Sequence, residues 1–255
     1  MPPPKAVSDA VTSRKKPLYL FADSQLLFWN DGGVPFLMRA RNDLDARAWP
    51  APRAAYLGAS SGDEPAYYEI FVGAMEGIGV RTCRHIPATP TEDDRAFLDQ
   101  ADLILLAGGD VERGLSAFHA SGIHRTILAR HAAGTVLLGV SAGAVQLGLA
   151  PAGRGDPALE PLGLVPFFVG AHDEPDWTSL GDVVLAGGEG SRGIGVPLAG
   201  AAIVDPGRQD CPIEPVRKPL AELVMEKGQL RRALLWPRPI ASAPDGQPFR
   251  KDRGS

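Results

Sequence analysis

The stretch TVLLGVSAG, residues 135–143, runs an apolar segment straight into a serine set among small residues. Its first part reads as a strand buried on both faces of a parallel sheet, where side chains on either side must be apolar. A serine between such a strand and a helix sits on a sharp turn that lifts its hydroxyl above the sheet. Gly139 and Gly143 suit that turn, because backbone crosses close to backbone and a Cβ would clash. The amide of Ala142 then points to where an oxyanion would form, and the helix start adds its dipole. On this reading Ser141 is a nucleophile; a turn that merely packs helix on strand would use the same small residues.

Outward from this junction, further apolar runs occur at Leu18–Phe21, at residues 54–57 and at Leu103–Leu106. Helical patterns separate them. PAYYEIFVGAMEGIG follows Ser61-Gly62-Asp63, a candidate cap, and TEDDRAFLDQ opens on a Thr cap with early acids. ERGLSAFHASGIHRTILARHAAG reads as one helix ending at Gly134. The alternation predicts βαβ units: an α/β chain with a mostly parallel, doubly wound sheet and helices on both faces. After Ser141 the pattern loosens. Pro- and Gly-rich loops surround short apolar runs at 165–169, 183–186 and 202–204, followed by a strand–turn–strand, LAELVMEKGQLRRALLW. Ligand sites in open parallel sheets lie at the carboxyl ends of the strands. There, after ADLILL, stands Ala107-Gly108-Gly109-Asp110, whose glycines free backbone amides to face a ligand and supply a second oxyanion donor.

A serine hydroxyl needs a base. Of the five histidines, His119, His124 and His131 fall in the helix before the serine and read as surface or helix-end residues, and His85 follows a short strand. His172, at the end of the apolar run in LVPFFVGAHDEPDW, is the candidate base. The acid that would orient its ring is Asp156, between Ser141 and His172, with Glu160 and Asp176 as alternatives. Asp173 and Glu174 lie too near His172 in sequence to reach its far ring nitrogen. The loop from Asp173 to Trp177 is acidic with one aromatic, so Asp176 and Trp177, with Gly108 and Asp110, are candidate substrate contacts. An acidic loop could receive a free amine or a basic side chain.

The 255 residues, 44% apolar and 22% charged, suit one large domain over 17–243, between basic tails at 1–16 and 244–255 that read as disordered. A net charge of −4 argues against a nucleic-acid partner. Two distant cysteines exclude a disulfide framework or a cysteine-rich zinc site and suit a reducing, cytoplasmic setting. No apolar run reaches the roughly 20 residues of a membrane span. No uninterrupted apolar stretch follows the basic start, so a secretory signal is not expected. The glycines do not form GxGxxG after the first strand, which disfavours a dinucleotide-binding module.

Two hydrolase families share the elbow and fail elsewhere. An α/β-hydrolase places its histidine after further βα units, yet none follows His172. A class I glutamine amidotransferase carries cysteine where this chain has Ser141. AAYLGASSGD followed by YYEIFVGAMEGIGV, then LLAGGD, GVSAGA, GLVPFFVGAH and GIGVPLAGAAIV, in that order over about residues 17–205, resembles the serine peptidase family of aspartyl dipeptidase (peptidase E) and cyanophycinase. The resemblance implies a flavodoxin-like, glutamine-amidotransferase-like fold. It implies Ser141 as nucleophile, His172 as base, the Gly109 and Ala142 amides as oxyanion donors, and Asp156 in a position similar to the dipeptidase acid. Pro197 and Leu198 replace the Asp-Glu pair of cyanophycinase-like members, and only Arg154 and Arg192, by neighbourhood, offer a cation for an acidic substrate. The expected activity is hydrolysis of a peptide or isopeptide bond in a small peptide, without metal or organic cofactor; a homodimer stays open. The alternatives are an amidase or acyl transferase on the same site, or an inactive binding homologue.

Overall fold

The computed structural model describes residues 15–48, 51–150 and 159–238. In chain order the elements are β1 (Leu18–Phe21), β2 (Asn30–Asp31), β3 (Val34–Pro35), α1 (Met38–Asn42), β4 (Arg53–Leu57), α2 (Pro65–Gly77), β5 (Thr82–Ile86), α3 (Glu92–Leu98), β6 (Leu103–Leu106), α4 (Val111–Ser121), α5 (Ile123–Ala132) and β7 (Val136–Val140). Then follow α6 (Ala142–Gln146), β8 (Phe168–Ala171), α7 (Thr178–Gly187), β9 (Arg192–Val196), β10 (Ala201–Val204), β11 (Ile213–Val216), β12 (Leu220–Glu226) and β13 (Gln229–Leu235).

The larger sheet has the order β11-β10-β1-β7-β6-β4-β5. Its five strands from β1 to β5 run parallel, and β10 and β11 add an antiparallel edge. Strands β1, β6 and β7 are apolar and buried throughout because both faces are covered, whereas the edge strand β5 carries Arg84 and His85. Leu18, Leu20, Ile104, Leu106 and Leu137 pack against Phe97, Phe118 and Ile127 of α3, α4 and α5. The alternate residues Tyr19, Phe21, Leu103, Leu105 and Leu138 pack against Phe71 and Met75 of α2. From β4 the chain steps outward to β5 and returns across to β6 and β7. The winding direction therefore reverses between β4 and β6, the position where open sheets form ligand crevices.

A second sheet, β13-β12-β9-β8, pairs β8 parallel to β9 and the rest antiparallel. Sequence patterning anticipates its terminal hairpin but not its existence as a separate layer. It carries its own core of Phe168, Trp177, Leu180, Val184 and Leu223. Residues 183–186 belong to α7, so this apolar run is a helix face rather than part of a loop-bounded strand.

Two helix boundaries also differ from expectation. Residues 111–132 form two helices, because Gly122 adopts a left-handed φ of 78° and caps α4 through its amide to the His119 carbonyl. Helix α2 starts at Pro65 with Glu64 as N-cap; Asp63 instead accepts from His85 Nε2 and the Ala88 amide. At α3 the Thr cap forms a full capping box with Asp94. No described helix is long and apolar enough to cross a membrane.

His131, expected at a surface or helix end, lies in the last turn of α5 but is only 1% exposed. Burial keeps its imidazole neutral and pushes its pKa down from 6.5 to about 4, with the Lys15 charge acting in the same sense. The unfolded chain therefore takes up a proton that the folded chain refuses. Stability due to this residue is complete above about pH 6.5 and is lost as pH falls toward 4, amounting to about 3 kcal/mol. Urea denaturation at pH 7.5 and 4.5 is expected to show a smaller acid loss in His131→Leu than in the wild type; equal losses would refute the assignment.

Candidate active site

Ser141 stands between β7 and α6 with φ 50° and ψ −110°, a conformation non-glycine residues avoid. Such strain costs about 1–3 kcal/mol and persists only where surrounding structure enforces it. Here the Ser141 amide donates to the Phe21 carbonyl at 2.8 Å, and the Ser141 carbonyl accepts from the Ala144 and Val145 amides at 2.9 and 3.2 Å. The flanking glycines allow the approach. A Cβ on Gly139 would lie 2.6 Å from the Gly143 carbonyl, and one on Gly143 would lie 2.2 Å from the Leu106 carbonyl oxygen. Ala142 opens α6, so its amide has no preceding helical turn to accept it.

Beside the elbow, the β6 carboxyl end leads into Gly108 and Gly109. A Cβ on Gly108 would come 3.4 Å from that of Ser141. Gly109 has φ 126°, and a Cβ there would fall 2.2 Å from the Ser60 carbonyl oxygen. This second loop is braced by residues 59–61, a turn after β4. The Ser60 carbonyl accepts from the Asp110 amide at 3.0 Å and from the Arg113 guanidinium, and the Ser60 hydroxyl accepts from buried Gln146 at 2.9 Å. Sequence reading missed Ser60, Gln146 and Arg113 as parts of the site. For Ser60 the signal was the Gly-Ala-Ser-Ser-Gly-Asp run directly after β4.

His172 arrives from the second sheet. It follows β8, holds φ 43°, and its amide donates to the Val196 carbonyl of β9 at 2.9 Å. Its Nε2 lies 2.7 Å from Ser141 Oγ. Among the described residues no carboxylate bonds to the ring. Asp156 and Arg154 lie outside the described residues. Glu160 is exposed and meets His119 only through its backbone carbonyl. Asp173 accepts from the Ser179 amide at 2.9 Å, and Glu174 from the Leu198 amide at 2.8 Å.

Ser141, His172, Gly108 and Gly109 share one cleft of about 700 Å³, with Arg113, Asp23 and Glu174 also in its wall. The other candidate substrate contacts stand apart. Asp110 caps α4 by accepting from the Arg113 amide at 2.8 Å. Asp176 is exposed and does not line the cleft. Trp177 is 3% exposed, and its ring fills the space above Gly195, where a Cβ would lie 2.5 Å from it. Arg192 pairs with Glu222 at 2.7 Å, away from the cleft.

The peptidase family S51 model matches residues 42–173, more than half of the chain. The crystal structure of a peptidase from an acI-B1 Actinobacterium is similar at TM-score 0.60 and 16% identity, over 88% of this chain and 96% of that one. That of a putative peptidase E protein from Listeria monocytogenes EGD-e is similar at TM-score 0.56 and 17% identity, over 80% of this chain and 98% of that one. At such identities the likeness shows a shared flavodoxin-like fold. No curated protein matches the chain. With the family match spanning the β4 to β8 core and the serine elbow within it, the chain belongs to peptidase family S51 and is a serine-type peptidase.

Proposed function

We propose that the enzyme hydrolyses a peptide or isopeptide bond of a small peptide through an acyl-enzyme on Ser141. The observation that carries this reading is the 2.7 Å contact between Ser141 Oγ and His172 Nε2 at the wall of the cleft. His172 takes the hydroxyl proton as Oγ attacks the carbonyl carbon. The resulting oxyanion rests on the Gly109 and Ala142 amides. The imidazolium passes its proton to the amine nitrogen, the C–N bond breaks, and the amine leaves. Water then attacks the ester, giving one proton to His172, which returns it to Ser141 as the acid departs.

The glycine backbone supports the oxyanion assignment. Both donors sit on main chain held by close contacts, and donors that need no reorganisation are the effective ones. For the acid, Asp156 remains our assignment. Glu160 and Asp176 make no bond to the imidazole, while Asp173 and Glu174 are engaged with backbone amides.

A fluorophosphonate probe is expected to label wild type at residue 141, located by mass spectrometry, while Ser141→Ala stays unlabelled and His172→Ala labels at least about 100-fold more slowly. Absence of labelling in folded wild type would remove the hydrolase reading. Gly109→Ala forces the loop off Ser60 and is expected to slow labelling by about 100-fold or more, the loss typical of one oxyanion donor. Near-wild-type rates in that variant would withdraw Gly109 from the mechanism.

A further inference from the structure

The cleft beside Ser141 is walled largely by carbon. Tyr56 of β4, Phe71 of α2, Leu105 of β6 and Leu27 form a buried floor, with the Tyr56 and Phe71 rings 5.4 Å apart. Tyr67 and Ile70 of α2 and Leu198 stand at its rim, 53%, 37% and 53% exposed. Single exposed apolar side chains are ordinary, but three gathered round one apolar floor mark a surface that is covered when ligand binds.

Each charged group of this wall holds backbone through at least one of its polar atoms. Asp23 accepts from the Gln25 and Ala199 amides at 2.8 and 2.6 Å. Glu174 accepts from the Leu198 amide, and Arg113 donates to the Ser60 carbonyl through two of its nitrogens. They therefore shape the cleft, and the carbon surface is what remains to select a side chain. The volume of about 700 Å³ is ample for a large one.

Chemistry assigns the side of the scissile bond. The leaving amine must face His172, which the smaller sheet supplies, to receive its proton. The floor comes from the larger sheet and α2, so it faces the acyl part. Resting on the reading of Ser141 as nucleophile, we propose that the enzyme selects a large apolar residue, aromatic or branched aliphatic, on the acyl side. Tyr56, Tyr67, Ile70, Phe71 and Leu105 receive it, and acidic and basic acyl-side residues are disfavoured.

Diphenyl α-aminophosphonates carrying Phe, Leu, Asp or Arg side chains test this on the full chain. Each phosphonylates a reactive serine with loss of phenol, and a simple fluorophosphonate serves as the side-chain-free reference. The Phe and Leu probes are expected to label Ser141 at least tenfold faster than the Asp and Arg probes. In Ile70→Asp and Tyr67→Asp, both on the exposed face of α2, the Phe-over-Asp preference is expected to fall at least tenfold. Equal rates across the four probes, a faster Asp or Arg probe, or an unchanged preference in both variants would overturn the proposal while fluorophosphonate labelling kept Ser141 as nucleophile. Failure of the fluorophosphonate as well would overturn both.

Discussion

Gly143 brings its backbone so near the Leu106 carbonyl that a Cβ would lie 2.2 Å from the oxygen. This approach seats α6 on the end of the parallel sheet, and the rest of the site depends on it. With α6 seated, the chain leaving β7 has no room for an ordinary turn, and Ser141 is held at φ 50°. Its amide and carbonyl are both bonded, to Phe21 and to the first turn of α6. The hydroxyl is thus aimed by backbone rather than by its own rotamer alone. The Ala142 amide is left without a helical acceptor because a helix start leaves its first donors unpaired.

The two sheets divide the remaining work. The larger supplies the serine and the Gly108–Gly109 loop from adjacent strands, β7 and β6, so their spacing is that of a ladder. The smaller supplies His172, fixed by the register of Ala171 against Val196 and by a hydrogen bond from its own amide. A contact of 2.7 Å between Ser141 and His172 therefore reports how the two layers are packed. Buried residues common to both, Val169, Ile194 and Val196 from the smaller sheet with Leu18, Leu20 and Leu106 from the larger, form that joint. A change in its packing volume would move His172 against Ser141 without touching either, as cores transmit strain.

Much of this was legible because buried parallel strands and the elbow impose local rules. Leu103–Leu106 and Val136–Val140 can be apolar throughout only if both faces are covered, and Gly139 and Gly143 are small for a reason visible in five residues. The second layer was harder to read. Gly193 and Gly195 interrupt the side-chain pattern of β9, and its helix α7 looks like another loop-bounded apolar run. Trp177 illustrates why composition misleads. An aromatic among acids suggests a ligand contact, yet the ring is needed to cover Gly195, a demand made by a residue 18 positions later. Tyr67 and Ile70 were invisible for the opposite reason, since helix periodicity does not say which apolar residues meet a cavity rather than a core.

The loop around Gly109 shows how a site can be rigid without a large core of its own. Asp63 ties His85 and the Ala88 amide to the end of β4, Ser60 receives the Asp110 amide, Arg113 and Gln146, and Gly109 lies against the Ser60 carbonyl. Each bond alone contributes only about 1 kcal/mol net. Their joint effect is to leave the Gly108–Gly109 backbone a single conformation, so the ordering entropy is settled during folding rather than at each turnover. Buried Gln146 makes the point most directly. At zero exposure inside α6, its Nε2 donates both hydrogens, to the Ser60 hydroxyl and to the Val111 carbonyl, and losing either acceptor would leave a buried donor unpaired. It joins the helix that begins at Ser141 to the loop that carries the proposed oxyanion donor, and so couples the two halves of the site in one element.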